Sequence, residues 1–237
     1  MSAAEAGDVS TNRSRRNIDV RGGDLAGVWA YKTATNGITI FADYAALFNI
    51  TSSNVYGVAG LANSLDVTAS GANGLDTGTI TTGGYHYFVI YNPTSGQVAL
   101  LVSLSATAPV MPSGYTYKRR LGWFYYSGGV TNFSQRNRRF AYAAPRPIAS
   151  STSAWTAFSL TNFVPLTVTN IRGRLISNNN TVQVGDNLGG LVMSSNGIPA
   201  QAYWFWEFML HQGAFSVYYS SSSAGGMIEI TGWEDNL

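Results

Sequence analysis

The chain carries few side chains of the kinds that perform catalysis or bind metals. It has two histidines, His86 and His211, and no cysteine. Both histidines lie in apolar, strand-like stretches. Zinc sites use clustered His, Cys and carboxylate ligands. Glu207 precedes His211 by four residues, but in a strand the two would be only distant neighbours. We therefore expect structural histidines and no bound metal.

The twelve carboxylates raise the question of glycoside hydrolysis, which needs two of them at a defined separation beside a cleft. Glu207 and Glu229 form one conceivable pair, and solvated strand ends are the expected alternative. Asp186 alone is too little acid to specify a calcium site. Nucleophile elbows, phosphate loops and dinucleotide fingerprints are missing from the sequence. It therefore predicts a protein that is not an enzyme and needs no cofactor.

Basic residues form two short runs inside strand-like stretches. Neighbouring side chains of a strand point to opposite faces, so neither run makes a patch by itself. We expect solvated charges that protect strand edges, with salt bridges between subunits as the alternative. A net charge of +2 argues against a dedicated nucleic-acid binder. The runs are Lys118, Arg119 and Arg120, and Arg136, Arg138 and Arg139.

Aromatic residues are densest near the C-terminus, where residues 203–208 are aromatic on both alternating faces of a predicted strand. A strand that is apolar on both sides is usually buried on both sides. We expect one face in the core and the other against a second layer or another subunit, with stacking on a glycan as the alternative. The candidate interface or glycan aromatics are Tyr203, Trp204, Trp206, Tyr218 and Tyr219.

The elements that must position these side chains are predicted to be β-strands throughout. Short β-branched and aromatic runs alternate with turns rich in Gly, Asn and Ser, and no stretch sustains a helical period. This pattern predicts an all-β fold, specifically one or two jelly-roll-like β-sandwiches. The strongest predicted strands are 85–91, 97–104 and 115–126, the last with a bulge or bend at Gly122.

Two stretches near the N-terminal end give weaker signals. Residues 43–50 are predicted to form a short helical turn or a loop. Residues 55–60 and 65–70 are predicted to form two short strands.

The chain is predicted to have an N-terminal arm followed by two β-sandwich halves. Residues 1–24 are small and polar and are predicted to form a flexible arm that is disordered or docks on a neighbouring subunit. Its candidate docking residues are Arg13, Arg15, Arg16 and Arg21. The halves are residues 25–144 and 145–237, divided at a Pro- and Ser-rich segment, and they could form one continuous domain.

Composition favours a protein that is assembled with others. Only 11% of the 237 residues are charged, whereas 45% are apolar. Soluble domains carry roughly 25% charged residues, so we expect other subunits to cover part of this surface. No apolar run reaches the ~18–20 residues that span a bilayer, and the N-terminus does not read as a secretory signal. We therefore expect no membrane insertion.

Two segments resemble tailed-bacteriophage structural and tail-fibre-like proteins. The first runs from YNPTSGQVA at residues 91–99 to SLSATAPVMPSGYT at residues 103–116. The second comprises VYY at residues 217–219 and IEITGW at residues 228–233. The resemblance implies a β-rich virion protein that is oligomeric and has no enzymatic activity. It carries no catalytic residue over to this chain.

These observations lead to one functional expectation and three alternatives. We expect a non-enzymatic structural protein of the virion, tail-fibre or tail-associated, that binds other virion proteins and forms a homotrimer. A capsid decoration or head-fibre protein is the first alternative. The second is a lectin-like host-attachment module for a bacterial surface glycan. The third is a glycan depolymerase that uses Glu207 and Glu229.

Overall fold

The computed structural model describes residues 25–150, 154–177, 181–185, 191–195, 202–209, 216–221 and 226–237. For residues 149–150, 177, 191–195, 202–204 and 208 it describes the backbone alone. The proposed docking arm, residues 1–24 with Arg13, Arg15, Arg16 and Arg21, lies outside the described residues, as do Asp186 and His211.

The all-β prediction is confirmed, because all regular structure in the described residues is β-strand. The order of the strands does not by itself identify a jelly roll, which stays a prediction. In chain order the strands are β1 (Leu25–Ala26), β2 (Trp29–Lys32), β3 (Gly37–Asn49), β4 (Val55–Asp66), β5 (Gly74–Leu75), β6 (Gly83–Asn92), β7 (Gln97–Ser103), β8 (Tyr117–Tyr126), β9 (Phe133–Arg136), β10 (Arg139–Ser150), β11 (Thr156–Ser159), β12 (Val168–Ser177), β13 (Val182–Gly185), β14 (Leu191–Ser195), β15 (Ala202–Met209), β16 (Ser216–Ser221) and β17 (Met227–Asp235).

The strands form a large sheet and a small one. The large sheet follows the order β15-β12-β17-β10-β9-β2-β3-β8-β6-β7-β5, and β1 and β4 also pair with β3. The small sheet has the order β11-β16-β13-β14. Among the described residues, β5 and β7 are the one parallel pair of strands. Antiparallel sheets of this kind can bury one face and leave the other to solvent.

Both sheets and both proposed halves of the chain share one core. Val184 and Tyr219 of the small sheet belong to the same buried apolar cluster as Leu175 and Tyr87 of the large sheet. The proposed boundary near residue 144 lies within β10, which pairs with β9 on one side and β17 on the other.

The structure corrects two predictions near the N-terminal end. The helical turn or loop predicted for residues 43–50 is wrong, because β3 continues through this stretch to Asn49. The two short strands predicted for 55–60 and 65–70 are one strand, β4, which pairs with β3 along almost its whole length. Both errors concern segments of low local β-propensity that long-range pairing holds extended.

The strong central strands are confirmed within a few residues. β6 and β7 pair antiparallel across the turn at residues 92–96. The bulge predicted at Gly122 is also confirmed, because the β6–β8 register shifts between Tyr87/Phe88 and Gly122/Arg120, leaving Leu121 unmatched. A Cβ on Gly122 would collide with the side chains of Tyr87 and Phe140.

Candidate functional site

The large sheet turns one face outward across eight neighbouring strands, β15, β12, β17, β10, β9, β2, β3 and β4. We call this surface the outer face. It is defined by two adjacent rows of residues that lie directly opposite one another from strand to strand. The first row is Met209, Asn170, Glu234, Arg139, Arg136, Trp29, Phe41 and Ala62, and the second is Glu207, Arg172, Gly232, Ala141, Ser134, Tyr31, Thr39 and Ser64.

One end of the outer face carries an aromatic patch, formed by Trp29, Tyr31 and Phe41. Trp29 is 46% exposed and Phe41 is 36% exposed. The ring centroid of Trp29 lies 6.0 Å from that of Tyr31 and 6.3 Å from that of Phe41. The rings of Tyr31 and Phe41 are 6.4 Å apart and nearly parallel, at 16°. A cluster of exposed aromatic rings is a candidate binding surface.

A cation completes the patch. The guanidinium of Arg136 lies 5.1 Å from the centre of the Trp29 ring, within the range of a cation–π contact. Arg136 comes from β9, which pairs with β2 so that Arg136 lies opposite Trp29. The patch is therefore built by three adjacent strands.

Strand alternation explains why the aromatic side chains of the patch point outward. In β2 the small Ala30 points into the core between Trp29 and Tyr31, and in β3 the core positions are Ile38 and Ile40. The candidate residues predicted from the sequence do not include this patch. The signal that could have found it is the two-residue spacing of Trp29 and Tyr31 beside the turn at residues 33–36.

The other end of the outer face combines paired polar side chains with two exposed apolar ones, Phe205 at 69% and Met209 at 76% exposure. Arg139 and Glu234 form an exposed ion pair at 2.5 Å. The Arg172 guanidinium crosses Gly232 and donates to the carbonyl of Phe140 at 3.0 Å. A shallow groove of ≈ 580 Å³ lies here, and its lining includes Tyr142, Arg172, Phe205, Trp206 and Glu207.

The two carboxylates considered for glycoside hydrolysis do not face each other across this groove. Glu229 forms an ion pair with Arg174. Glu207 accepts a hydrogen bond from the Asn170 side chain at 2.8 Å. Glu207 lies on β15 and Glu229 on β17, and β12 runs between them. Each carboxylate is therefore held by a residue of the intervening strand.

The candidate aromatics of the C-terminal part have separate environments. Trp206 is 3% exposed and packs over Gly173, and Tyr219 is fully buried. Neither ring can stack on a sugar as it lies. Tyr218 is half-buried and stacks on Trp155, with ring centroids 6.1 Å apart. The side chains of Tyr203 and Trp204 lie outside the described residues.

A buried ion pair joins β8 to the C-terminal end of β17 and to the residue that precedes β12. Arg120 donates to Asp235 at 2.9 Å and to the Thr167 hydroxyl at 2.8 Å, and also to the carbonyl of Asn236. The Asp235 side chain is fully buried. The prediction of solvated edge charge is thus wrong for Arg120, because β8 lies between β3 and β6 rather than at an edge.

His86 lies against this ion pair. Its Nδ1 is 3.5 Å from the Arg120 guanidinium, and the residue is 6% exposed. Burial, reinforced by the positive charge of Arg120, lowers the pKa of His86 to about 3. At neutral pH its imidazole is therefore uncharged and packed inside the protein.

A second buried network accounts for the bulge in β8. Gln135 is fully buried, and its Nε2 donates to the carbonyls of Leu121 and Asn137, each at 2.6 Å. Its Oε1 accepts from the Tyr87 hydroxyl. The amide thus satisfies the carbonyl of the unmatched bulge residue, which would otherwise be buried without a partner.

The described part of the chain has no group of three or more His, Cys, Asp or Glu residues placed to hold a metal ion. Nor does it have a helix long and apolar enough to cross a membrane.

No protein-family model matches this chain, and no curated protein matches it. Among solved structures, isomalto-dextranase from Arthrobacter globiformis T6, complexed with panose, matches at 11% sequence identity with a TM-score of 0.16. The match covers 89% of this chain and 36% of that chain, so this chain spans about a third of the other's length. A TM-score of this size is too low to indicate a shared fold.

Proposed function

We propose that this chain is a non-enzymatic structural protein of a bacteriophage particle, tail-fibre or tail-associated, that binds other virion proteins and further copies of itself. The observation that carries the proposal is the aromatic patch. The solvent-facing side of an antiparallel sheet normally carries polar residues. On the outer face of this sheet, however, Trp29, Tyr31 and Phe41 lie together. A protein partner that covered them would stabilise the complex by about 1.5–3 kcal/mol for each fully buried ring.

The charge distribution supports an assembled state. Residues 44–65, which include the last six residues of β3 and all but the last residue of β4, contain no charged side chain. This stretch adjoins the aromatic patch through the pairing of Phe41 with Ala62. The uncharged hairpin and the patch form one contiguous surface that suits a protein interface.

The placement of the titratable groups supports a role without catalysis. His86 is uncharged and buried, Glu229 is paired with Arg174, and Glu207 is hydrogen-bonded to Asn170. These groups join strands to one another. Such contacts favour a rigid scaffold over a reactive site.

Position and stoichiometry remain parts of the proposal. The resemblance to tail-fibre-like proteins favours a threefold assembly in the tail, with residues 1–24 docking on a neighbouring subunit. A capsid decoration or head-fibre protein would use the same surfaces at a different place in the particle.

The test measures incorporation into particles. The variant Trp29→Ala/Phe41→Ala removes the two most exposed rings of the patch, and Leu104→Ala/Leu166→Ala removes two exposed apolar residues elsewhere. We expect wild type and the Leu control in purified particles at equal copy number, with the patch variant reduced at least tenfold. Absence of the wild-type chain from particles, when infected cells produce it, would overturn the proposal.

The same patch supports a second function, binding of a bacterial surface glycan. The nearly parallel rings of Tyr31 and Phe41, next to the hydroxyl groups of Thr39 and Ser64, suit the alternating apolar and polar faces of a sugar. Calorimetric titration of the folded protein with host polysaccharide tests this function. Binding that Tyr31→Ala weakens at least tenfold would support it, and no heat at millimolar sugar would exclude it.

A further inference from the structure

β4 is an edge strand with free backbone groups along its first half. It pairs with β3 on one side and has no strand on its other side among the described residues. Asn49 N–H donates to the Asn54 carbonyl at 3.0 Å, so these two residues form a hydrogen-bonded pair of the β3–β4 ladder. In an antiparallel ladder, hydrogen-bonded and non-hydrogen-bonded pairs alternate along the strand. Val55, Gly57 and Ala59 therefore belong to non-hydrogen-bonded pairs and direct their N–H and C=O groups away from β3. These groups have no backbone partner in the described part of the chain.

The second half of the same edge is closed. Gly60 has a positive φ of 63°, and the pairing with β3 is interrupted there. Beyond it, Ser64 N–H donates to the Asn63 side chain at 2.8 Å, and Asp66 N–H donates to the Asn73 carbonyl at 3.1 Å. The open part of the edge is therefore residues 55–59.

The open edge lacks the usual protection against strand addition. Natural edge strands are interrupted by Lys, Pro or inward-pointing charges, but residues 55–59 read VYGVA and contain none of these. Exposed apolar side chains are also concentrated around it. Five of the eleven exposed large hydrophobic residues of the described chain lie on β2, β3, β4 or the β3–β4 turn, namely Trp29, Phe41, Ile50, Val55 and Tyr56.

We propose that residues 55–59 pair antiparallel with the same residues of a second copy of this chain, about a twofold axis at Gly57. This inference rests on the proposed function, for which it supplies one self-association contact. Val55 of each copy lies opposite Ala59 of the other, and the two Gly57 residues lie opposite each other. The three pairs exchange six hydrogen bonds.

A second copy is the occupant that this edge fits. Centring the axis on Gly57 matches all three outward-facing residues, and any shift along the strand leaves at least one without a partner. Residues 44–65 contain no charged side chain, so the pairing brings no like charges together. The exposed side chains of Ile50, Val55 and Tyr56 flank the ladder and would add apolar contact to its hydrogen bonds.

The pairing has a defined consequence for stoichiometry. A twofold contact of this kind joins two copies, and combined with a threefold contact it joins six in a closed assembly. The number of copies in solution is therefore even.

The experiment uses charge reversal to test the register, with the mass of the full chain measured by light scattering. In Val55→Lys/Ala59→Lys each lysine faces a lysine of the other copy, and like charges directly opposite repel. In Val55→Lys/Ala59→Glu each lysine faces a glutamate instead. Ala72→Lys, in an exposed loop, is the matched control. Circular dichroism confirms that each variant is folded.

We expect an even number of copies for wild type and Ala72→Lys, half that mass for the double-lysine variant, and the wild-type mass for the Lys/Glu variant. A monomeric wild type, or a double-lysine variant of unchanged mass, would overturn the edge pairing. Equal dissociation of the two double variants would overturn it too. A stable trimer would overturn this pairing and leave the proposed function standing, whereas absence from particles would overturn the proposed function at any mass.

Discussion

At the scale of single residues, charged and titratable side chains of the types used in catalysis stabilise the fold in this protein. Arg120 and Asp235 are far apart in the chain and form a largely buried ion pair, with His86 beside them. The sequence predicted a structural role for His86 because of its apolar neighbours. It could not predict its charged partner, because that contact arises only when the C-terminal end of the chain lies over β8.

The pH dependence of stability follows from His86. Its folded-state pKa, about 3, is below the ordinary value of 6.5, so the unfolded chain binds a proton that the folded chain does not. The stabilisation is complete above pH 6.5 and is lost as the pH falls towards 3. Between pH 7 and pH 5 we expect His86 to cost about 2 kcal/mol of unfolding free energy.

The measurement is urea unfolding of wild type and His86→Gln at both pH values. Other titrating groups contribute to both proteins, so the difference between the two pH slopes isolates the histidine. We expect the variant to lose about 2 kcal/mol less than wild type on acidification. Parallel slopes would show that His86 is not held uncharged in the folded protein.

At the scale of elements, local pattern predicted the strands that carry their own β-propensity. The aromatic and β-branched residues of β6 identified it within a few positions. The second half of β3, DYAALFN, has a weak local signal and is a strand because β4 pairs with it and Ala45, Ala46 and Leu47 are buried. Tertiary packing decides how segments that are distant in sequence, or that have low β-propensity, pair with each other. Local propensity carries no information about that packing.

The same limit explains why the aromatic patch was missed. Alternation shows that Trp29 and Tyr31 share one face of a strand, but it does not tell which face the rest of the chain covers. Candidate interface aromatics were predicted in the dense run at residues 203–208 instead, and Trp206 of that run lies in the core. Whether an aromatic residue of a strand lies in the core or on the surface depends on which face of its sheet another layer covers.

Close strand–ring packing gives a prediction for two glycines of the large sheet. A Cβ on Gly173 would collide with the Trp206 ring and with the backbone carbonyl of Glu229, whereas a Cβ on Gly83 would approach its nearest neighbour, Tyr85, at 3.8 Å. We expect Gly173→Ala to lower the free energy of unfolding by about 1–3 kcal/mol. Gly83→Ala should change it by less than about 0.5 kcal/mol.

Chemical denaturation of the two alanine variants checks this pair. Both substitutions add one methyl group to a strand glycine, so they differ mainly in the space available. Equal stability of the two variants would contradict the packing of Trp206 over Gly173.

At the scale of the whole molecule, buried polar networks make the interior rigid while a large apolar surface is left outside. The core is continuous across both sheets. The outer face instead combines an exposed aromatic patch with an edge strand, β4, that has no charged residue before Asp66. The fold therefore has a continuous core but leaves apolar residues exposed on its surface. This combination suits a subunit of a larger particle.

Hydroxyl-radical footprinting of Trp29, in the free chain and in purified phage particles, tests whether a partner covers the aromatic patch. Trp29 is 46% exposed in the free chain, and Trp155, at 36%, lies directly before β11 of the small sheet and serves as the internal reference. We expect oxidation of Trp29 to fall at least fivefold in the particle relative to Trp155. Equal oxidation of Trp29 in the two states would contradict it, because the aromatic patch would then have no partner in the assembled particle.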